Sequence, residues 1–203
     1  MRRFRIRAPL IAALLLAASH GPSALAQANA TESVSLDSAA GSESPRTIDQ
    51  LMTALKRERD PESAHQLTEE ILADWNVSGS PTIDLLMQWA ASAAAEKRNP
   101  AALDFLDQAI VLKPDFVGAL SQRATLHYTM GNYRRAISDI NRVLTIEPRH
   151  FAALAGLAAI LSERGSEAMA LKAWERYLDI YPADRQAQEI VSTLSEKLAG
   201  SRT

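Results

Sequence analysis

The side chains of this sequence best suited to chemistry are His65, His127 and His150, the adjacent acids Glu69 and Glu70, Arg123, and the tryptophans 75, 89 and 174. Metal binding by a histidine needs further ligands at set spacing. None of the three histidines has a second histidine or a cysteine so placed, and each reads as a packed or surface ring. Glu69 and Glu70 are neighbours, so on a helix they point in different directions and read as a solvated face. The chain carries no Gly-x-Ser-x-Gly, no His-Glu-x-x-His, no phosphate-cradling glycine loop and no Ser-x-x-Lys. It also lacks cysteine. That excludes a disulfide framework, thiol catalysis, thiolate zinc and a lipid-modified N-terminal Cys. The expectation is a protein without catalytic residues, metal or cofactor.

Two constellations have structural readings. Arg123 is placed to pair with Asp139 or Asp107, a contact worth about 0–1 kcal/mol if exposed. Trp89 and Trp174 fall on helical-period apolar stripes, which predicts core packing rather than a stacking platform for sugars or bases. Trp75 ends its helix, and its placement stays open.

The elements that position these residues recur. Ala102, Ala136 and Ala170 are spaced by 34, as are Pro114, Pro148 and Pro182, and Leu86, Leu120 and Leu154. A fixed period of this length marks a solenoid of helix pairs. Residues 83–116, 117–150 and 151–184 form three well-made units. Each has a first amphipathic helix, a turn (Lys97-Arg98-Asn99-Pro100, Gly131-Asn132 or Gly165), a second helix and a proline stop. Asn99 is expected as an N-cap with Pro100 in the first helical position. Small alanines allow close axial approach where the two helices of a unit cross, beside larger neighbours such as Leu106 and Trp174. Residues 47–78 form a weaker pair, with stripes at Ile48, Leu51, Met52, Leu55 and at Ala64, Leu67, Ile71, Leu72. Four extra residues around Gly79-Ser80-Pro81-Thr82 separate it from the rest. It is expected as a degenerate capping repeat, and residues 184–199 as a C-terminal capping helix.

Ahead of the repeats, residues 1–26 have the layout of an export signal. Arg2, Arg3, Arg5 and Arg7 precede the apolar run Ala8–Ala18, and Ala24-Leu25-Ala26 or Ala26-Gln27-Ala28 offers a cleavage site. An apolar run of 11 residues is short of the roughly 20 that span a bilayer. No stable membrane span is expected once the signal is removed; a retained leader is the alternative. A periplasmic or secreted location follows as an expectation. Residues 27–46 carry only Val34 and Leu36 as aliphatics larger than alanine, and read as a disordered tether. The net charge is −2, and removing the leader's four arginines leaves about −6. A mildly acidic chain argues against nucleic acid, whose phosphates demand positive charge.

The pattern Leu154-x2-Leu157-Ala158-x2-Leu161, Gly165, Ala170-x3-Trp174, Pro182 resembles a tetratricopeptide repeat. So does Leu120-x2-Arg123-Ala124-x2-His127, Gly131, Ala136-x3-Ile140, Pro148. The likeness covers about residues 47–199. Departures are Arg123 and His127 at usually apolar positions, Lys97 where the family has glycine, and no proline stop in the first pair. The resemblance implies an all-α, right-handed α-solenoid of antiparallel helix pairs that binds protein segments on a concave face lined by first helices. By the repeat step, Met87, Ser121 and Ala155 are equivalent there, as are Ala91, Thr125 and Ala159, and Ala94, Tyr128 and Ser162. Gln88 and Gln122 lie at the edge. Such a floor is small and neutral. It lacks the Lys and Asn with which some members hold a terminal carboxylate. The expected partner is a protein or peptide segment, extended or helical, held by shape and apolar contact. Filling of the groove by the tether or by a second copy remains open, as does self-association through the groove or the terminal helix.

Overall fold

The computed structural model describes residues 46–200; the expected leader and all but the last residue of the expected tether lie outside them. The described residues form nine helices: α1 (Ile48–Arg57), α2 (Pro61–Trp75), α3 (Pro81–Ala95), α4 (Asn99–Leu112), α5 (Val117–Thr129), α6 (Tyr133–Ile146), α7 (Phe151–Glu163), α8 (Glu167–Ile180) and α9 (Arg185–Gly200). Among the described residues no helix is long and apolar enough to cross a membrane.

Local chemistry sets most boundaries. Thr47 and Gln50 form a reciprocal capping box at the start of α1. The Asp60 carboxylate accepts the Ser63 N–H at 2.8 Å, with Pro61 opening α2. Helices α4, α6 and α8 each end two residues before a proline of the 34-residue ladder, because the residue preceding a proline is pushed out of the helical region. The turns inside the three repeats are the same object. Lys97, Gly131 and Gly165 all have positive φ, at 59°, 74° and 75°. The N–H of the next residue reaches back to Ala93, His127 or Leu161, at 2.8 Å in each case. This is the Schellman closure of a helix C-terminus. The expected Asn99 cap moves by one: Arg98 holds the N-cap position and Asn99 is already helical.

The pairs α3–α4, α5–α6 and α7–α8 pack internally and stack in order. Ala102, Ala136 and Ala170 have no exposed surface, nor have Leu120 and Leu154. One apolar core runs from Ile83 to Ile160 through these pairs. A second core joins α1 and α2 to the far end: Leu51, Met52, Leu55, Leu67, Ile71 and Trp75 are buried with Phe151, Leu154, Tyr177, Tyr181 and Ala187. The segment 47–78 is thus a helix pair, but its stripes do not stack on α3–α4 as a terminal repeat would. The pair lies across the turns between repeats. Trp75 stacks on His150 (4.1 Å, 12°) and packs on Phe151. Arg149 reaches Asp49 at 2.7 Å, and the Lys113 ammonium donates to the Ser78 carbonyl at 2.9 Å. The Gly79 linker (φ 75°) lets the chain turn from α2 into α3.

Helix α9 covers α8 more lightly. Ala187 is its one buried residue, and Ile190, Val191, Leu194 and Leu198 are half-buried. Asp184 fixes its start by accepting the Ala187 N–H at 3.0 Å and the Tyr177 hydroxyl at 2.6 Å.

Candidate interaction surface

The face expected from the repeat register divides into an open part and a part the chain itself occupies. Gln88, Thr125 and Ser162 are exposed; Ala91, Ser121, Gln122, Tyr128, Ala155 and Ala159 are half-buried. Met87 is 7% exposed and belongs to the core around α3, so it presents little to a ligand. The Gln122 amide donates to the Asn76 side chain at 3.0 Å, and Ala155 packs against the α1–α2 core. The chain thus fills the end of the face near the starts of α5 and α7 with its own second helix. Gly118 allows this approach: a Cβ there would stand 2.8 Å from the Trp75 carbonyl oxygen and 3.0 Å from the Asn76 Oδ1. The sequence held one signal for it, a glycine in the first turn of a helix, where glycine otherwise costs stability.

The other end of the face is a polar rim. The Glu163 carboxylate accepts the Tyr128 hydroxyl at 2.6 Å and the Tyr133 hydroxyl at 2.5 Å. Burial, then this hydrogen bond, pushes the Tyr128 phenol up to about 12, so it stays a donor. Beside it, Tyr133, Arg134, Arg135, Ile137 and Arg164 line a cavity of about 640 Å³. No described carboxylate pairs with any of these three arginines. This basic rim was not foreseen, because its arginines come from two repeats and converge only when the repeats stack.

The remaining chemistry-bearing residues are structural in position. Arg123 pairs with both expected acids, Asp139 (2.6 and 2.8 Å) and Asp107 (2.6 Å). Asp139 is buried, Arg123 half-buried and Asp107 exposed, so one side of the contact is shielded from water and the other is not. His127 is buried, its Nδ1 without a hydrogen-bond partner, and desolvation lowers its pKa. His150 is buried, its Nδ1 accepting the Ala153 N–H at 3.1 Å to cap α7; desolvation lowers its pKa to about 4. His65 is exposed, 3.5 Å from Glu69. Among the described residues no group of three or more His, Asp or Glu is placed to hold a metal ion. Trp75 is buried and Trp174 half-buried on Tyr177. Trp89 corrects the expectation of core packing, being 48% exposed.

No family model matches the sequence. A curated relative does: a TPR repeat-containing protein of Rhizobium etli is 55% identical over 205 residues, covering all of this chain and 98% of the relative. Among solved structures, the first TPR domain of Spaghetti (RPAP3), bound to the HSP90 peptide SRMEEVD, superposes with a TM-score of 0.55. It has 19% identity and covers 59% of this chain and 95% of its own. The Sgt2 TPR domain from Aspergillus fumigatus gives 0.54 at 21% identity, covering 61% of this chain and 83% of its own. MamA gives 0.52 at 16%, covering 73% and 81%. These three likenesses concern the fold. The whole-length identity with the Rhizobium etli protein establishes the family: the chain belongs to the TPR repeat proteins.

Proposed function

We propose that this protein is a non-enzymatic adaptor that docks a segment of another protein on the open part of its first-helix face, in the periplasm or outside the cell. The observation that carries the reading is the convergence of two features. Gln88, Ala91, Thr125, Ala159 and Ser162 leave a low floor without bulky side chains. The floor leads through the Tyr128–Glu163–Tyr133 cluster to three arginines that no described acid pairs with. Small neutral residues admit a peptide backbone, and guanidinium groups recognise carboxylates by paired hydrogen bonds. The docked segment therefore carries acidic residues at the end that meets the rim. Related folds support the class of ligand, since the Spaghetti domain was solved with the HSP90 peptide SRMEEVD and a Sti1 domain of yeast in a complex with Hsp70. The export-type leader supports the location.

Photo-crosslinking from position 125 in the native host, with mass spectrometry of the adducts, tests the reading. One dominant foreign protein is expected, its adduct lost in the Thr125→Arg variant. Replacing Arg134, Arg135 and Arg164 together by alanine weakens capture of that protein and flattens its salt dependence. Adducts confined to other copies of this chain would overturn the adaptor reading.

A further inference from the structure

The solenoid has one bare end. Repeat contacts are made by equivalent positions in each unit, so the register shows what a missing neighbour leaves exposed. Leu85 is 42% exposed and Trp89 48%, and Phe105 is half-buried against Trp89 with ring centroids at 5.5 Å. One repeat later the matching residues are Ala119, fully buried, Arg123, paired across to Asp107 of α4, and Asp139, buried. Two repeats later they are Ala153, Leu157 and Ala173, buried or half-buried. Ser92 is exposed where Leu126 and Ile160 are buried. In α5 and α7 this face stacks on the preceding pair. In α3 nothing described covers it, because α1 and α2 bury their stripes at the opposite end.

We infer that this end face is a homodimer interface, closed by the same face of a second copy about a two-fold axis. Other occupants fit less well. The 45 residues ahead of Arg46 enter α1 where Arg46 pairs with Glu70, and residues 27–46 offer only Val34 and Leu36 as larger aliphatics. The opposite end of the solenoid is closed by α9, whose Gln186, Glu189, Thr193 and Glu196 are exposed. Head-to-tail stacking would bury those polar groups against Leu85 and Trp89 without partners. Face-to-same-face contact buries apolar on apolar, and such an isologous contact closes after two subunits. Trp89 lies near the middle of α3. A two-fold axis through it sets the two α3 helices antiparallel. One helix pair of this length presents a face of roughly 22 by 20 Å, the size of a weak, concentration-dependent contact rather than of an obligate interface.

Sedimentation of the purified full chain across concentration tests this. A monomer–dimer equilibrium is expected, with the dissociation constant raised about thirty-fold or more by Leu85→Glu with Trp89→Glu. Both side chains are exposed in the monomer, so far-ultraviolet circular dichroism of the variant should match the parent. Met169→Glu, an exposed apolar residue on α8, and Thr125→Arg on the peptide face leave the dimer unchanged. A chain monomeric at millimolar concentration overturns the inference. So does a dimer that survives the double substitution, or one lost equally in the Thr125→Arg variant. In either case the adaptor reading stands or falls on its own crosslinks.

Discussion

Lys97 occupies the left-handed position that Gly131 and Gly165 fill in the other two repeats. A side chain there costs roughly 1 kcal/mol relative to glycine at the same turn. Lys97→Gly is therefore expected to raise stability by about that amount, measured as a shift in urea midpoint at unchanged m-value. Arg123 is a different case, since its guanidinium serves two carboxylates and one of them, Asp139, is buried. The hydrogen bonds to Asp139, and then to Asp107, hold its pKa above the ordinary arginine value against the opposing effect of burial. Replacing it by leucine strands the Asp139 charge inside the α5–α6 contact and is expected to cost about 3 kcal/mol. Adding Asp139→Ala should recover part of that loss. Equal and additive losses in a double-mutant cycle would show that the pair is not coupled. The pairing partners were visible in the sequence as Asp107 or Asp139. That both are used, Asp139 buried and Asp107 at the surface, follows from α4, α5 and α6 meeting at one place.

At the scale of elements, His150 joins two jobs. Its unprotonated Nδ1 caps α7, and its ring face carries Trp75 at the end of α2. Protonation would turn the cap acceptor into a donor and place a charge in the core. The pKa accordingly falls from 6.5 to about 4 in the folded protein, and that of His127 is lowered as well. A depressed histidine contributes stability that is fully present above pH about 6.5 and is lost as pH falls toward 4. For His150 the loss is on the order of 3 kcal/mol. Urea titrations between pH 7.5 and 4.5 should show it. His150→Asn, which retains a capping acceptor, should start less stable for want of the Trp75 stack and lose less on acidification. An unchanged pH slope would assign the loss to other groups. The helices were legible because caps, proline stops and apolar stripes are local. The docking of α1–α2 was not, because an amphipathic stripe records that a face is buried without recording against what.

For the whole molecule, the order of three repeats and a final helix follows from one period, and the stacking core follows from it. Two surfaces remain for partners: the open, Arg-rimmed part of the first-helix face and the bare end of α3–α4. They predict separable behaviour, with Thr125→Arg affecting foreign adducts and Leu85→Glu with Trp89→Glu affecting self-association. The sequence by itself determined the helices, their turns and the register that aligns Met87, Ser121 and Ala155, because those depend on residues near one another along the chain. Only the tertiary structure decided that Met87 is buried, that Trp75 is core while Trp89 is surface, and that Asn76 meets Gln122. The placements of Trp75, Trp89 and Asn76 turn on one long-range choice: the first helix pair buries its stripes against α7, α8 and α9 instead of α3. Pairing between segments about a hundred residues apart, as in Asp49 with Arg149, leaves no periodic mark in either segment.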